Sequence, residues 1–339
     1  MAKTRIRRID DLLAAAGGVP AIVPGDGDTA AVGAVQELLR SHGYSRLPDM
    51  RHSSYGSFGE LTRQSVLAYR AIAGLGNSPR VDGPLLEHML RRDPQIPLAA
   101  RCYLTKTLDF EYTPMAGVVA LTALSESGGR FACMNLNTDR CGLSFGIIQW
   151  AQRPGRLHEL LMAFRKAAPE AIAEIAGGPA AVDALIAHTA RPGGGVDPVT
   201  GAALDSRFDL IREPWRGRFE RIGRTRTLQK VQMEAALRVF QASLAQLQPV
   251  VPVVNSQRGF AFLLDVANQH GDSGARSICR AVAKSGMGEA QLLAAVEKES
   301  VRRVAAQYGA ASPEAASTAN RREFFRTLPW LSDAAGAVA

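Results

Sequence analysis

Apolar residues recur at helical spacing along most of the chain, and this pattern predicts a mainly helical protein. In the N-terminal part, three such segments follow a short basic one, and turns rich in Gly, Pro and Ser separate them. The predicted helices span residues 9–16, 29–42, 61–69 and 85–90. Pro84 stands where the last of them begins, a position that favours proline. We therefore expect a three-helix module over residues 28–92, after a lead and loop at 1–27.

The C-terminal part shows the same periodicity in longer segments. Helices are predicted at residues 115–125, 156–168 and 179–189, in a segment ending at 246, and at 260–270, 289–308 and 320–328. The segment 260–270 is apolar on nearly every side, which predicts the central buried helix. Residues 93–100 are predicted as a proline-bearing linker, and 191–201 as a loop at a cleft or hinge. A length of 339 residues favours two domains, the second over 101–339.

Residues 126–150 break the helical pattern with a polar connection and a short apolar run. Glu126 ends a predicted apolar helix, and Asp139 follows thirteen positions later, before a segment that favours a small β-hairpin. Two carboxylates so placed suit hydrolysis of a glycosidic bond, because one must hold a proton for the leaving oxygen while the other stays ionised. Apolar surroundings are expected to raise the pKa of Glu126, whereas the polar neighbours of Asp139 keep it charged. The second domain is therefore expected to be α+β.

Composition narrows the class of partner. The sequence is 46% hydrophobic, and no apolar run approaches the ~20 residues that span a bilayer, so no membrane insertion is expected. A net charge of +8 and a pI near 9.6 favour an acidic polymer as partner. The Arg-rich run at 212–226 has few aromatics, and no nucleic-acid module accompanies it, so no nucleic acid is expected.

Cysteine spacing and the first residues bear on location. The four cysteines, Cys102, Cys133, Cys141 and Cys279, lack metal-ligand spacing, so neither a metal nor a cofactor is expected. Cys133 and Cys141 bracket the polar connection between the two acids. They could form a disulfide or be two buried free thiols, and the sequence leaves both alternatives open.

Asp10 and Asp11 lie where a signal peptide would have its apolar core, so no cleaved signal peptide is expected. The protein is therefore expected to be made in the cytoplasm and, if its substrate lies outside, to be delivered by a route other than a cleaved signal peptide.

The stretch Glu126-Ser127-Gly128-Gly129, with the run DRCGLSFGIIQ at 139–149, resembles the active-site segment of the lysozyme superfamily. Its Glu-Ser start and Phe-Gly-apolar-apolar-Gln ending are similar to goose-type lysozymes and lytic transglycosylases. Its Asp-x-x-Gly-x-Ser-x-Gly-Ile run is similar to family 46 chitosanases, and the branch stays open. LLDVANQHG and ANRREFFRTLPWLSD also resemble the chitosanase C-terminal lobe, so the likeness spans most of residues 101–335.

This resemblance implies roles for individual residues. Glu126 is expected to be the general acid and Asp139 the base or charge stabiliser. Ser144 is expected to help hold the attacking water, with a structural bond in a turn as the alternative. Gln149 and Trp150 are expected to bind sugar through an amide and an aromatic face, although Trp150 suits the core equally well.

Four other polar residues are weaker candidates for a role at the site. Arg140 is expected to contact substrate or to pair with either acid. His270 ends the predicted central helix, where a core or cap histidine is more frequent than a catalyst. Asn268 and Gln269 are weaker candidates still.

The N-terminal module resembles the peptidoglycan-binding domain of bacterial and phage cell-wall hydrolases. The matching residues are VQELL at 35–39 with Gly43-Tyr44, YGSFGELT at 55–62 and VDGP at 81–84. The resemblance implies binding of the wall polymer, with Tyr55 and Phe58 at the binding surface. Ser54-Tyr55-Gly56 replaces the family's usual Asp-Gly before the aromatic-Gly pair, and residues 48–54 enlarge this loop. A spacer that shares only the fold is the alternative.

Together these features predict a muramidase that cuts the peptidoglycan backbone, as an antibacterial effector or an endolysin. It is expected to reach the periplasm and cell wall through a secretion system or through phage lysis. A chitosanase, a lytic transglycosylase and a non-catalytic wall-binding protein are the alternatives. A basic protein suits a cationic polymer such as chitosan poorly, and this favours peptidoglycan. A secreted toxin of this kind would also have a cognate immunity protein as partner.

Overall fold

The computed structural model describes residues 6–14, 18–42, 44, 46–48, 52–91, 113–327, 331 and 333–336. The chain forms two compact units, Met1–Glu111 and Tyr112–Ala339. The predicted linker at 93–100 and Cys102 lie outside the described residues, and the domain boundaries predicted from the sequence stay predictions. None of the described helices is both long and apolar enough to cross a bilayer.

The first unit is a small helical bundle. Its helices are α1 (Arg7–Leu13), α2 (Thr29–Ser41), α3 (Glu60–Ala73) and α4 (Gly83–Arg91). Asp28 caps α2, since its carboxylate accepts a hydrogen bond from the Ala31 amide. Gly74 ends α3 in the left-handed conformation that glycine adopts without strain. The apolar faces of these helices enclose one core. An isolated β-bridge between Ile22 and Val81 holds the loop before α2 against this core.

The second unit is mainly helical and contains one small sheet, which confirms the predicted mainly helical, α+β fold class. Its elements are α5 (Pro114–Ser127), β1 (Met134–Leu136), β2 (Leu143–Phe145), β3 (Trp150–Ala151), α6 (Arg156–Ala167), α7 (Pro169–Ala176), α8 (Pro179–Thr189), α9 (Trp215–Arg224), α10 (Arg226–Leu247), α11 (Gln257–Val282), α12 (Glu289–Tyr308) and α13 (Pro313–Thr327). Two short 3-10 turns, Pro192–Gly195 and Ser206–Phe208, lie between α8 and α9.

The sheet has three antiparallel strands in the order β1-β2-β3, one more than the predicted hairpin. Asn135 pairs with Ser144 across the first two strands, and Phe145 pairs with Trp150 across the last two. Gly146 has φ 81° in the turn between β2 and β3. A Cβ at Gly146 would lie 2.4 Å from the Gln232 side chain, so only glycine fits this turn.

Helix α11 is the centre of the second unit and contacts α5, α10, α12 and α13. The predicted segment 260–270 is indeed its buried part, from Phe260 to Ala267. The element runs twelve residues further than predicted, because a second helical segment follows directly after a kink at Gly271, whose backbone (φ 70°, ψ 162°) is not helical. Helix α5 is apolar on all sides and packs against α10 and α11, so its last turn is held firmly.

Candidate active site

Glu126 lies in the last turn of α5, with 18% of its side chain exposed. The Asn268 amide, from α11, donates a hydrogen bond to Glu126 Oε1 over 2.9 Å. The Arg321 guanidinium, from α13, forms an ion pair with the same oxygen, Nη2 to Oε1 being 2.5 Å. Within the described part of the chain, no hydrogen bond or ion pair reaches Oε2. The sequence predicted apolar surroundings for Glu126. Instead, an amide and a guanidinium contact its Oε1.

Arg321 also binds a second, fully buried carboxylate. Its Nε lies 2.8 and 2.6 Å from the two oxygens of Asp265, which has no exposed surface. Arg322 Nη1 bonds Asp265 from another direction. Burial alone would lower the pKa of Arg321, but the charges of Asp265 and Glu126 outweigh it and raise that pKa. Two carboxylates and two guanidinium groups thus form a cluster whose formal charges cancel, as buried ions require.

Outer hydrogen bonds tie this cluster to three helices. Arg322 donates to the Gln269 side chain and, through Nε at 3.3 Å, to Ser300 Oγ. Gln269 Nε2 in turn donates to Thr318 Oγ1 over 2.7 Å. Because α11, α12 and α13 each supply a member, the position of Arg321 is fixed by tertiary packing. Gln269, a weak candidate from the sequence, acts here through Arg322 and does not touch Glu126.

Three buried polar atoms in or beside the cluster lack hydrogen-bond partners among the described residues: Asn268 Oδ1, His270 Nε2 and Arg321 Nη2, whose contact with Glu126 is an ion pair. Burial, together with the charges of Arg322, Arg303 and Arg321, lowers the pKa of His270 to about 4, and Asp265 opposes this only in part. His270 is therefore neutral near pH 7. A buried amide oxygen without a partner is unusual in a folded protein.

The structure places Asp139 in an exposed turn between β1 and β2. Its Oδ1 accepts a hydrogen bond from the Cys141 amide over 3.1 Å. Among the described residues, no hydrogen bond or ion pair joins Asp139 or Arg140 to Glu126, and Arg140 is exposed with φ 58°. Cys133 and Cys141 are free thiols, and burial raises the pKa of Cys141. The catalytic role of Asp139 stays a prediction.

The remaining predicted residues of this segment are in or near the core. Ser144 is buried in the middle of the sheet, paired with Asn135 and Ala151. Trp150 is 1% exposed, which matches the core alternative and leaves no ring face for a sugar. Gln149 Nε2 donates to the Gly146 carbonyl over 2.9 Å, so its amide closes the turn. The structure therefore does not group Ser144, Gln149 and Trp150 at an open surface.

In the first unit, Phe58 is a buried core residue, so it presents no surface to a polymer. Tyr55 is half-buried, and its ring lies against Gly33 of α2, where an added Cβ would be 2.6 Å away. Both aromatics therefore pack the bundle. The Gln36 side chain, also buried, fixes the loop between them through the Gly56 amide and the Ser57 carbonyl.

A further cation and a further carboxylate lie within electrostatic reach of Glu126. Burial lowers the pKa of Arg156, the first residue of α6, while the charges of Glu159, Asp272 and Glu126 raise it in part. Asp272 follows the kink at Gly271 and is partly buried. It is therefore a second acid near the same cation as Glu126, in addition to the predicted Asp139.

The sequence interpretation missed Asp265, Arg321 and Arg322. A signal for Asp265 does exist, because it is the only acidic or basic residue within the apolar stretch FAFLLDVAN. An acid inside a buried helix is rare unless it is paired, so its presence indicates a buried cation elsewhere. The adjacent arginines in ANRREFF are the cations, but 56 residues separate Arg321 from Asp265 and no local pattern links them.

Within the described residues, no group of three His, Cys, Asp or Glu side chains is placed to hold a metal ion. No protein-family model matches the sequence, and no curated protein matches it. Among solved structures, a mutant chitosanase from Bacillus subtilis complexed with 6 GlcN is similar, with a TM-score of 0.44 and 12% identity. The match covers 63% of this chain and 86% of the chitosanase chain. Scores this low leave the function to be argued from the site.

Proposed function

We propose that the protein hydrolyses glycosidic bonds, with Glu126 as the general acid. One observation carries the proposal: the Asn268 hydrogen bond and the Arg321 ion pair both meet this carboxylate at Oε1, which leaves Oε2 to hold the proton. A carboxyl group with one anchored oxygen and one open oxygen is oriented for proton transfer before substrate arrives. The buried Asp265 and Arg322 act as positioning residues, because they fix Arg321.

The chemistry follows from this arrangement. Glu126 Oε2 gives its proton to the leaving glycosidic oxygen, and negative charge develops on the carboxylate as the bond breaks. Arg321 and Asn268 already point at Oε1, so they stabilise that charge without reorganising. Asp139 is the proposed partner that activates water or stabilises the sugar cation. Separation of the two carboxylates in the substrate complex then decides between inversion and retention.

Peptidoglycan is the substrate that we propose. The chain carries a net charge of +8, and the cation Arg156 lies near Glu126. Both features suit an acidic wall polymer and oppose a polymer of protonated glucosamine. The resemblance of residues 28–92 to peptidoglycan-binding domains points the same way.

The test compares the parent chain with Glu126→Gln on purified peptidoglycan. The parent is expected to release fragments with new reducing ends, and the variant to lose about 10³-fold in rate, as expected for a general acid. Glu174→Gln, an exposed acid of α7, is the matched control and is expected to keep the parent rate. If the parent releases no fragments, the enzyme proposal fails and a wall-binding protein remains.

The second carboxylate is tested separately, because two acids compete for the role. Asp139→Asn is expected to lower the rate by about 10²-fold or more, whereas Asp272→Asn is expected to leave it near the parent value. The reverse result would transfer the role of base or stabiliser to Asp272, which shares the cation Arg156 with Glu126.

A chitosanase is the second candidate, because the run from Asp139 to Ile147 resembles that family. Release of glucosamine oligomers from chitosan, with no fragments from peptidoglycan, would support it. Anhydro-sugar products from peptidoglycan would identify a lytic transglycosylase instead. We also propose that the protein acts on the wall as an effector or endolysin, and a neighbouring gene for an immunity protein or a holin would distinguish these settings.

A further inference from the structure

Residues 196–203 of the second unit, which overlap the loop predicted before α9, form a closed loop. An isolated β-bridge between Val196 and Ala203 joins its ends. At its tip, Asp197 Oδ1 accepts hydrogen bonds from the Thr200 amide over 2.7 Å and from the Thr200 hydroxyl over 2.9 Å. These bonds lower the pKa of Asp197, so its carboxylate stays ionised as the acceptor. The loop therefore has a fixed shape of its own.

The Asn137 side chain connects this loop to the turn at residues 137–142, which carries Asp139. Its Nδ2 donates a hydrogen bond to the Thr200 carbonyl over 3.0 Å. Its Oδ1 accepts one from the Gly142 amide over 3.0 Å, at the other end of the turn. One amide group thus closes the turn and fastens it to the loop.

Two glycines show how closely the loop and the turn pack. Gly201 is buried, and a Cβ added to it would lie 2.8 Å from Arg140 Cα and would also meet Asn137 Oδ1. A Cβ at Gly142 would lie 2.9 Å from the side chain of Val196. The loop therefore lies against the turn at both of its ends, with no space for a further side chain.

The turn itself has an unusual backbone. Asn137 and Arg140 have φ 69° and 58°, in the left-handed region that residues other than glycine seldom occupy. Such conformations persist where the surrounding packing determines them, and they are frequent at functional sites. Asp139 lies directly before Arg140, so the packing that imposes this backbone also sets the direction of its exposed carboxylate.

We propose that the loop at 196–203 positions Asp139 for the reaction, and that it acts through Asn137. The proposal rests on the proposed function for the role of Asp139. Asn137 and Asp197 are positioning residues, because each acts through the place of that carboxylate. A buried ionic cluster holds Glu126, and a neighbouring loop holds the exposed second acid.

Release of reducing ends from soluble glycan strands by the full-length chain tests this from both sides of the contact. Asn137→Gly removes both hydrogen bonds but keeps the left-handed backbone without strain. It is expected to lower kcat about tenfold or more, with KM within about twofold of the parent, because a displaced carboxylate weakens only the transition state. Asp197→Ala is expected to act alike, and Asp197→Asn, which keeps an acceptor, to restore most of kcat. Leu204→Ala, 58% exposed and directly after the loop, is the control and is expected to match the parent.

A double variant separates positioning from a general effect on the fold. When Asp139→Asn has already removed the carboxylate, Asn137→Gly is expected to cause no further loss of kcat, because the two changes act on one group. A further tenfold loss in that background would show that Asn137 acts elsewhere and would overturn the proposal.

Cysteine labelling with iodoacetamide, quantified for each cysteine by mass spectrometry, follows the turn without any activity. Cys141 lies in the turn and is half-buried, and burial and the charge of Asp139 raise the pKa of its thiol, so it reacts slowly. Asn137→Gly and Asp197→Ala are expected to speed its labelling about threefold or more, because a released turn exposes the thiol. Cys133, half-buried before β1, is the internal reference and is expected to react at the parent rate.

Unchanged labelling of Cys141 in both variants would overturn the proposal, and so would a rise of KM with unchanged kcat, which would assign the loop to substrate binding. A parent that releases no reducing ends, while both variants label faster, would refute the proposed function alone, since the loop then still holds the turn. Normal release by the parent with undiminished kcat in both variants would refute only the positioning role.

Discussion

At the residue scale, the two oxygens of the Glu126 carboxylate have different surroundings. Oε1 meets a guanidinium and an amide, and Oε2 meets no described polar group. The difference depends on Arg321, which is held in turn by Asp265. Asp265 touches no reacting atom, yet its charge decides where the guanidinium sits.

Asp265→Asn is expected to destabilise the protein strongly. The change removes one of two carboxylates that neutralise two buried arginines, and an uncompensated buried charge costs about 3–5 kcal/mol in free energy of unfolding. Asp333→Asn is the control, because Asp333 pairs with Arg258 while 74% exposed, and such pairs contribute about 1 kcal/mol or less. Urea unfolding measures both, and equal losses would contradict a buried ionic cluster.

His270 gives a prediction about pH. Its pKa is about 4 in the folded protein, compared with 6.5 as the ordinary value, so the unfolded chain binds the proton more tightly. Stability is therefore fully present above pH 6.5 and is lost as pH falls towards 4. Between these limits, His270→Gln is expected to lose less free energy of unfolding than the parent, by roughly 2 kcal/mol. Parallel urea curves for the two proteins at pH 6.5 and 4.5 would disprove this.

Glu126 could be selected from the sequence because the polar connection after an apolar helix is a local pattern. Its partners could not, because Asn268 and Arg321 reach it across 142 and 195 positions of the chain. Trp150 and Gln149 look equally suited to sugar or to core in a sequence. Only the pairing of β2 with β3 decides that Trp150 is buried.

At the element scale, most helices of the second unit lie where apolar periodicity places them. The differences have physical causes. Helix α13 begins at Pro313, seven residues before its prediction, because the Ser312 hydroxyl accepts from the Ala315 amide and caps it. The third strand is only two residues long, too short for an alternating pattern to reveal.

The turn between β2 and β3 predicts a contrast between two glycines. Gly146→Ala is expected to cost about 2–4 kcal/mol in free energy of unfolding, because left-handed strain adds to a clash with Gln232. Gly155→Ala has almost the same φ, 82°, but an open surrounding, and is expected to cost about 1 kcal/mol from strain alone. Thermal unfolding of both variants tests this, and a similar Tm for the two would show that the turn can relax.

At the scale of the whole molecule, the two units divide the proposed work. The second unit contains Glu126 and its supporting cluster, and the first is the helical bundle that we propose binds the wall polymer. The net charge of +8 adds a weak and non-specific attraction to any acidic polymer.

A chain that begins at Arg101 tests this division. It is expected to cleave soluble glycan strands at a rate close to the parent's, but to sediment less with insoluble peptidoglycan. Raised salt is expected to weaken sedimentation of the parent, because screening removes the general attraction. Unchanged sedimentation of the shortened chain would exclude a wall-binding role for the first unit.

The kink in α11 has a consequence for recognising distant relatives. A backbone at φ 70° and ψ 162° is essentially restricted to glycine, so Gly271 tolerates no other residue without rebuilding the helix. It follows Asp265 and Asn268 at steps of three, which defines the short signature Asp-x-x-Asn-x-x-Gly, to be combined with a downstream Arg-Arg pair. A search for that combination would find proteins that keep the support of the acid, even where the segment around the acid has diverged.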